Sequence, residues 1–312
     1  MNTEAGPRVP AAAPTSTSNW LDVAERGSAV GMWLMVAVCR VLGRRVARLL
    51  VSPIVVYFVA FAPTARRASR DYLARLGLPH GLGAVLAHCR RFANCTLDRL
   101  FWVLGETARF EVTNTGVEHL LALAASRRGA LLLGAHLGSF EAMRGMASRQ
   151  SIPLNIVGYF KNARLINSVL ARLNPGTMTR VLDVEPGVDF VLRLKERIEA
   201  GELVALLADR VGVGERVVEA ELFGGRVRLP AGPYWLASAL GCPVYLTFGL
   251  YHEPNRYALY CEPFAERIEL PRGAREEGAR RYAQRFAARL EHYCRLAPDN
   301  WFNFYDFWRS AA

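Results

Sequence analysis

Apolar positions along the chain change period several times, and each change predicts an element. Residues 29–38 and 49–62 are two apolar runs, both shorter than the roughly 20 residues that cross a bilayer, and Pro53 interrupts the second. Arginines follow each run: Arg40, Arg44, Arg45 and Arg48 after the first, Arg66, Arg67 and Arg70 after the second. Apolar faces with basic flanks predict an interfacial or half-buried helical pair, with a single spanning helix or two core helices as the alternatives. Residues 65–101 keep helical spacing, with Tyr72, Leu73 and Leu76 on one face and Phe92, Leu97, Leu100 and Phe101 on another. Asp98 and Arg99, set among these apolar residues, are expected to be a satisfied structural pair.

From residue 110 onward short apolar runs alternate with helical patterns. Strands are expected at 110–112, 130–133, 154–160 and 203–208, with helices at 116–127, after 139, at 162–173 and at 187–200. Residues 217–223 alternate loosely enough for an edge strand or an extended loop. A helix at 230–240, a hairpin of 244–251 with 257–262, and a long arginine-rich amphipathic helix at 273–296 follow. The aromatic tail 301–308 is expected to lock an edge of the core. Strand and helix in alternation predict an α/β fold, an open mixed sheet flanked by helices. Sites of such sheets lie at the carboxyl ends of the strands, where His136 and Asp209 both fall.

Composition sharpens this outline. Residues 1–18 are rich in Ala, Pro, Thr and Ser and are expected to be disordered; 19–64 form the expected membrane-associating helical segment and 65–312 the main domain. No signal peptide is expected, because the first apolar run begins late and leads into arginines. The net charge is +11, nearly all of it arginine, since Lys161 and Lys195 are the only lysines. Guanidinium groups suit phosphates and carboxylates, and the absence of basic runs interleaved with aromatics argues against nucleic acid. An anionic membrane surface or an acidic carrier protein fits the charge better. The six cysteines are scattered without a Cys-x2-Cys pair, so each is expected to be a small core residue in a reducing compartment.

Residues 129–144 hold the candidate chemistry. A buried strand leads through Gly134-Ala135-His136-Leu137-Gly138-Ser139 into a helix that begins near Phe140 and Glu141. On one continuous helix His136 and Glu141 would lie about 140° apart, but a strand, a glycine turn and a helix can bring them together. Glu141 would then sit in the first helical turn, where the dipole favours a carboxylate, and accept a proton from one imidazole nitrogen. A zinc site is not expected: His-Glu-x2-His is missing, and His80, His88, His119, His252 and His292 form no ligand spacing. Ser139 lies outside any Gly-x-Ser-x-Gly elbow and is not expected to be a nucleophile.

The His136-x4-Glu141 spacing, with Leu-Gly-Ala-His-Leu-Gly-Ser-Phe-Glu around it, Asp209-Arg210, Phe223-Gly224-Gly225 and Leu229-Pro230-Ala231-Gly232-Pro233, resembles the late, LpxL-like lipid A biosynthesis acyltransferases. The resemblance runs from about Arg66 to the C-terminus. The Phe-Pro-Glu-Gly-Thr block of phosphatidic-acid-forming enzymes is absent. It implies a glycerolipid-acyltransferase-like fold and transfer of a fatty acyl chain from an acyl carrier protein or coenzyme A thioester to a hydroxyl of a membrane lipid. The expected place is the cytoplasmic face of the bacterial inner membrane, with no cofactor and no metal, in a monomer.

In that scheme His136 is the general base and Glu141 fixes its tautomer. Asn162 and Arg172 match positions of the family pattern where a polar pair faces the cleft. Asp209, Arg210, Arg226 and Arg228 are the other candidate substrate-binding residues. The arginines of 226–228 would hold a phosphate or an acidic carrier, and Arg172, Arg210 or amides near Gly138 would stabilise an oxyanion. Alternative acceptors are an ornithine lipid, a lysophospholipid or an aryl-polyene glycolipid. An alternative of another class is a catalytically inert membrane or carrier-protein docking module, in which His136 would be dispensable.

Overall fold

A computed structural model describes residues 29–158, 164–178, 180–212 and 214–308. The expectation of a disordered 1–18 lies outside the described residues. Helices α1 (Ala29–Val41), α2 (Gly43–Phe61), α3 (Pro63–Arg75) and α4 (Leu82–Val103) come first. The α/β region follows as β1 (Glu111–Thr115), α5 (Val117–Ala125), β2 (Ala130–Gly134), α6 (Phe140–Arg149), β3 (Leu154–Gly158), α7 (Arg164–Leu173), β4 (Val181–Asp183), α8 (Val188–Glu199) and β5 (Leu203–Leu207). A hairpin of β6 (Val217–Leu222) and β7 (Gly225–Pro230) leads to α9 (Gly232–Leu240), β8 (Val244–His252), β9 (Arg256–Ala265) and α10 (Arg275–Leu296).

Seven strands form one open mixed sheet in the order β1-β9-β8-β2-β5-β3-β4, as the alternating pattern predicts. All neighbours are parallel except the β8, β9 hairpin, so β1 and β9 run against the other five. Strand β2 lies between β5 and β8, and all five of its residues are buried. A parallel strand covered on both faces must be apolar throughout, which is why Ala130 to Leu133 read as a continuous run. Three-residue β4 has only half-buried residues and too little pattern to be seen in the sequence. Residues 217–223 are not an edge of this sheet: β6 pairs antiparallel with β7 in a separate two-stranded sheet beside α10. Helix α10 buries Ala279, Ala283, Phe286, Ala287 and Leu290 along one stripe and turns its arginines outward.

Helix α2 buries Ala47, Val51, Val55 and Val59 against the domain and leaves Leu50, Ile54, Tyr57 and Phe61 exposed; Val30 and Leu34 of α1 are exposed as well. Among the described residues no single helix is long and apolar enough to cross a membrane. Helices α2 and α3 together have the length and composition, but they meet at 93°. The arginines beside the apolar runs divide into two sets. Arg44 forms a bidentate pair with Asp98 (2.6 and 2.7 Å), and Arg48 reaches Glu253 (2.8 Å) and the Pro254 carbonyl (2.7 Å). These two tie α2 to the domain, while Arg40, Arg45, Arg67 and Arg70 remain exposed. Asp98 is thus a satisfied structural partner as expected, with the Tyr257 hydroxyl also donating to it at 2.8 Å, but its partner is Arg44 rather than Arg99.

Candidate active site

At the end of β2 the chain must leave the sheet while staying packed against β8, and the sequence supplies the turn. Gly138 has φ +68°, and a Cβ there would lie 2.0 Å from the Gly249 carbonyl oxygen, so only glycine fits. The Ser139 amide donates to that same carbonyl at 2.7 Å. Its hydroxyl accepts from the Ala142 amide at 3.1 Å and caps α6, a structural use of the serine. His136 is held just before this turn with 28% of its side chain exposed.

The carboxylate on the imidazole comes from the end of β5, the neighbouring parallel strand. Asp209 Oδ1 accepts from His136 Nδ1 at 2.8 Å; its Oδ2 accepts from the His136 backbone amide at 3.0 Å and from the Trp301 indole at 3.1 Å. Burial alone would raise the pKa of this carboxylate, but the charge and hydrogen bonds of His136 and the Arg210 guanidinium outweigh it and hold the pKa down at about 2. The imidazole is shifted down from 6.5, first by burial and then by the Arg210 guanidinium, against the opposing pull of Asp209. At neutral pH the pair is an ionised Asp209 on a neutral His136 whose proton sits on Nδ1. The proton-accepting position is then Nε2.

This corrects the expected role of Glu141. It does sit in the first turn of α6, where a carboxylate is favoured, but its carboxylate pairs with Arg99 Nη2 of α4 at 2.5 Å. The reason is electrostatic and steric. Helix α6 packs against α4, which presents Arg99, and Arg144 one turn along α6 adds a second positive charge beside Glu141. A local motif could not show that β5 delivers a carboxylate to Nδ1 from 73 residues away.

The other expected site residues separate. Arg210 stays with the centre: its Nη2 donates to the Phe302 carbonyl at 2.7 Å, and its charge reaches His136. Arg172 is exposed in the last turn of α7, and no described hydrogen bond or ion pair joins it to His136. Asn162 lies outside the described residues. Arg226 and Arg228 are exposed on β7, in register with Glu221 and Glu219 of β6, so residues of opposite charge lie across this hairpin from one another.

Sequence reasoning missed Trp301 and its surroundings. The segment 300–302 runs beside 136–138: Gly138 N donates to Asn300 O (2.8 Å), Phe302 N donates to His136 O (2.9 Å), and Leu137 bridges antiparallel to Trp301. The aromatic tail does close a core edge, as its composition suggests, and it also forms one wall of the site.

An open α/β sheet thus carries, at the carboxyl edge of its strands, a histidine oriented by a buried carboxylate, an arrangement chemically able to accept a proton. The family model of bacterial lipid A biosynthesis acyltransferases matches residues 102–310, well over half of the chain, and the chain belongs to that family. It is accordingly an acyltransferase of the lipid A biosynthesis type. No curated protein matches it.

Proposed function

We propose that the protein moves a fatty acyl chain from a thioester of acyl carrier protein or coenzyme A to a hydroxyl of a membrane lipid, with His136 as the general base. The observation that carries this reading is the hydrogen bond from His136 Nδ1 to a buried, ionised Asp209 on a ring that is still partly exposed. The acceptor hydroxyl gives its proton to His136 Nε2 as its oxygen attacks the thioester carbonyl carbon. The imidazolium formed is stabilised by Asp209. Collapse of the tetrahedral intermediate breaks the C–S bond, and the proton passes from Nε2 to the departing sulfur. Arg210 is the cation beside the reacting centre and stabilises the developing oxyanion.

Two further features support a lipid substrate. A narrow, mostly apolar cleft lies between the sheet and α5 and α6. Leu132, Phe140, Met143, Met146 and Ala205 are among its walls, and Leu132 precedes His136 by four residues, about 13 Å along an extended chain. Apolar walls of this kind suit an acyl chain. The exposed apolar side chains of α1 and α2, next to Arg40 and Arg45, fit a helical pair lying on the cytoplasmic face of the inner membrane.

The test is a lipid mass comparison of a deletion strain complemented with wild type, His136→Ala or Asp209→Asn. One lipid class gaining a fatty acyl mass only with the wild type identifies acceptor, chain and base together. Restoration by both variants sinks the acyl-transfer reading and leaves a docking module in its place.

A further inference from the structure

Asp209 holds two jobs at once: it must keep the imidazole in one orientation, and it must not bind the imidazolium proton too tightly. Its Oδ1 faces Nδ1 of His136, and the only side chain that donates to Oδ2 among the described residues is Trp301, whose indole N–H lies at 3.1 Å. Trp301 is completely buried, with Tyr72 at 5.1 Å and Phe307 at 4.9 Å between ring centroids, both edge-on. Its indole therefore has no freedom to follow the carboxylate if that rotates.

The backbone beneath the indole is fixed with equal care. The Trp301 carbonyl accepts from Nε2 of His88 at 3.0 Å, and His88 Nδ1 accepts from the Ser69 hydroxyl at 2.9 Å. Burial lowers the His88 pKa to about 4, so the ring is neutral and both of its nitrogens are satisfied in this one tautomer. On either side, the Asn300 side chain exchanges hydrogen bonds with the Tyr251 backbone (2.7 and 3.0 Å), and Phe302 N is bonded to His136 O. A continuous line of hydrogen bonds thus runs from Ser69 of α3 through His88 of α4 and Trp301 of the tail to Asp209 and His136.

We propose that Trp301 is a positioning residue for the His136 base: its indole N–H locks the Asp209 carboxylate in the rotamer that orients the imidazole and limits the proton affinity of the pair. The inference rests on the acyl-transfer reading above. Removing the N–H takes a donor from an ionised carboxylate, which makes Asp209 a stronger acceptor for the imidazolium and raises the His136 pKa. The base is active when neutral, so the acid limb of the rate profile moves to higher pH. Among the described residues, charged and titratable groups near the pair include Arg210 on β5's exit, Tyr305 in the tail and Cys294 on α10; none of them changes in this variant.

The experiment replaces the indole with a shape-matched ring, Trp301→β-(3-benzothienyl)alanine, beside Trp301→Phe and His136→Ala. Thiol release is followed with dodecanoyl thioesters of coenzyme A and acyl carrier protein, using a lipid extract of the host bacterium as acceptor. A hydrogen bond to an ionised group corresponds to about a tenfold or larger change in rate. The expected result for the benzothienyl protein is a kcat lower by about that factor, an unchanged KM and an acid limb displaced upward, with thermal stability near wild type. Loss of bulk alone would lower stability in Trp301→Phe without moving the limb of the benzothienyl protein. A benzothienyl protein with wild-type kcat and acid limb overturns the positioning role while acyl transfer stands. Thiol release that does not depend on His136 overturns the acyl-transfer reading, and the positioning role with it.

Discussion

Two carboxylates compete for the role of orienting His136, and they lie in regions built on different principles. Glu141 sits five residues away in sequence, at the start of a helix, mostly buried and paired with Arg99. Asp209 is 73 residues away, at the end of the adjacent parallel strand, fully buried and bonded to three donors. The near residue is held by a single partly buried ion pair to Arg99; the distant one is held by a fully buried network of three donors. Sheet register, not sequence proximity, delivers the better partner: Gly134 of β2 faces Leu207 of β5, and both strands end on the same edge two residues before His136 and Asp209.

The comparison breaks most clearly at Asp209. Asp209→Asn removes the charge and favours the wrong imidazole tautomer, so acyl transfer is expected to fall by roughly 10³ to 10⁴ with the fold retained, measured as thiol release and by circular dichroism. Glu141→Gln is expected to cost about tenfold or less, because it frees Arg99 beside α6 without touching Nδ1. Equal losses in the two variants would show that Glu141 takes over the imidazole during turnover. Acidity sharpens the contrast further. The His136 pKa lies below 6.5, so the acid limb of kcat/KM is expected below pH 6.5 rather than above it.

His88 gives a stability counterpart in the same pH range. Its folded pKa of about 4 is below the ordinary 6.5, so its contribution is full above pH 6.5 and is lost as pH falls through 4, when the buried ring must charge. Thermal unfolding between pH 7 and pH 4 is expected to show a steeper decline for wild type than for His88→Gln. The smallest effect is expected at the hairpin. Arg226→Glu and Arg228→Glu change residues already set across from Glu221 and Glu219, and activity is expected to stay within about twofold.

Much of this molecule was legible before its structure. The apolar run of β2, the hairpin of β8 and β9 and the stripe of α10 follow from residue period alone, because burial on two faces, one face or a stripe leaves different patterns. His136 was marked by its glycine-rich turn, and Asp209 by its place at a strand end, although its work was assigned to substrate rather than to the imidazole. The tail was recognisable as aromatic packing, but nothing in its composition distinguished Trp301, which bonds to Asp209, from Trp308, which donates to the Leu222 carbonyl.

The sequence by itself determined the α/β alternation, the position of His136 at a strand end and the apolar, arginine-flanked N-terminus, since each depends on local spacing. Only the tertiary structure decided which carboxylate His136 receives, where Arg44 and Arg48 place their charge, and that Trp301 and His88 stand behind the site. Those are contacts across 54 to 213 residues, fixed by strand order and by how the tail folds back beside His136. Local spacing carries no information about distances of that kind, because the register that sets them exists only once the sheet is assembled.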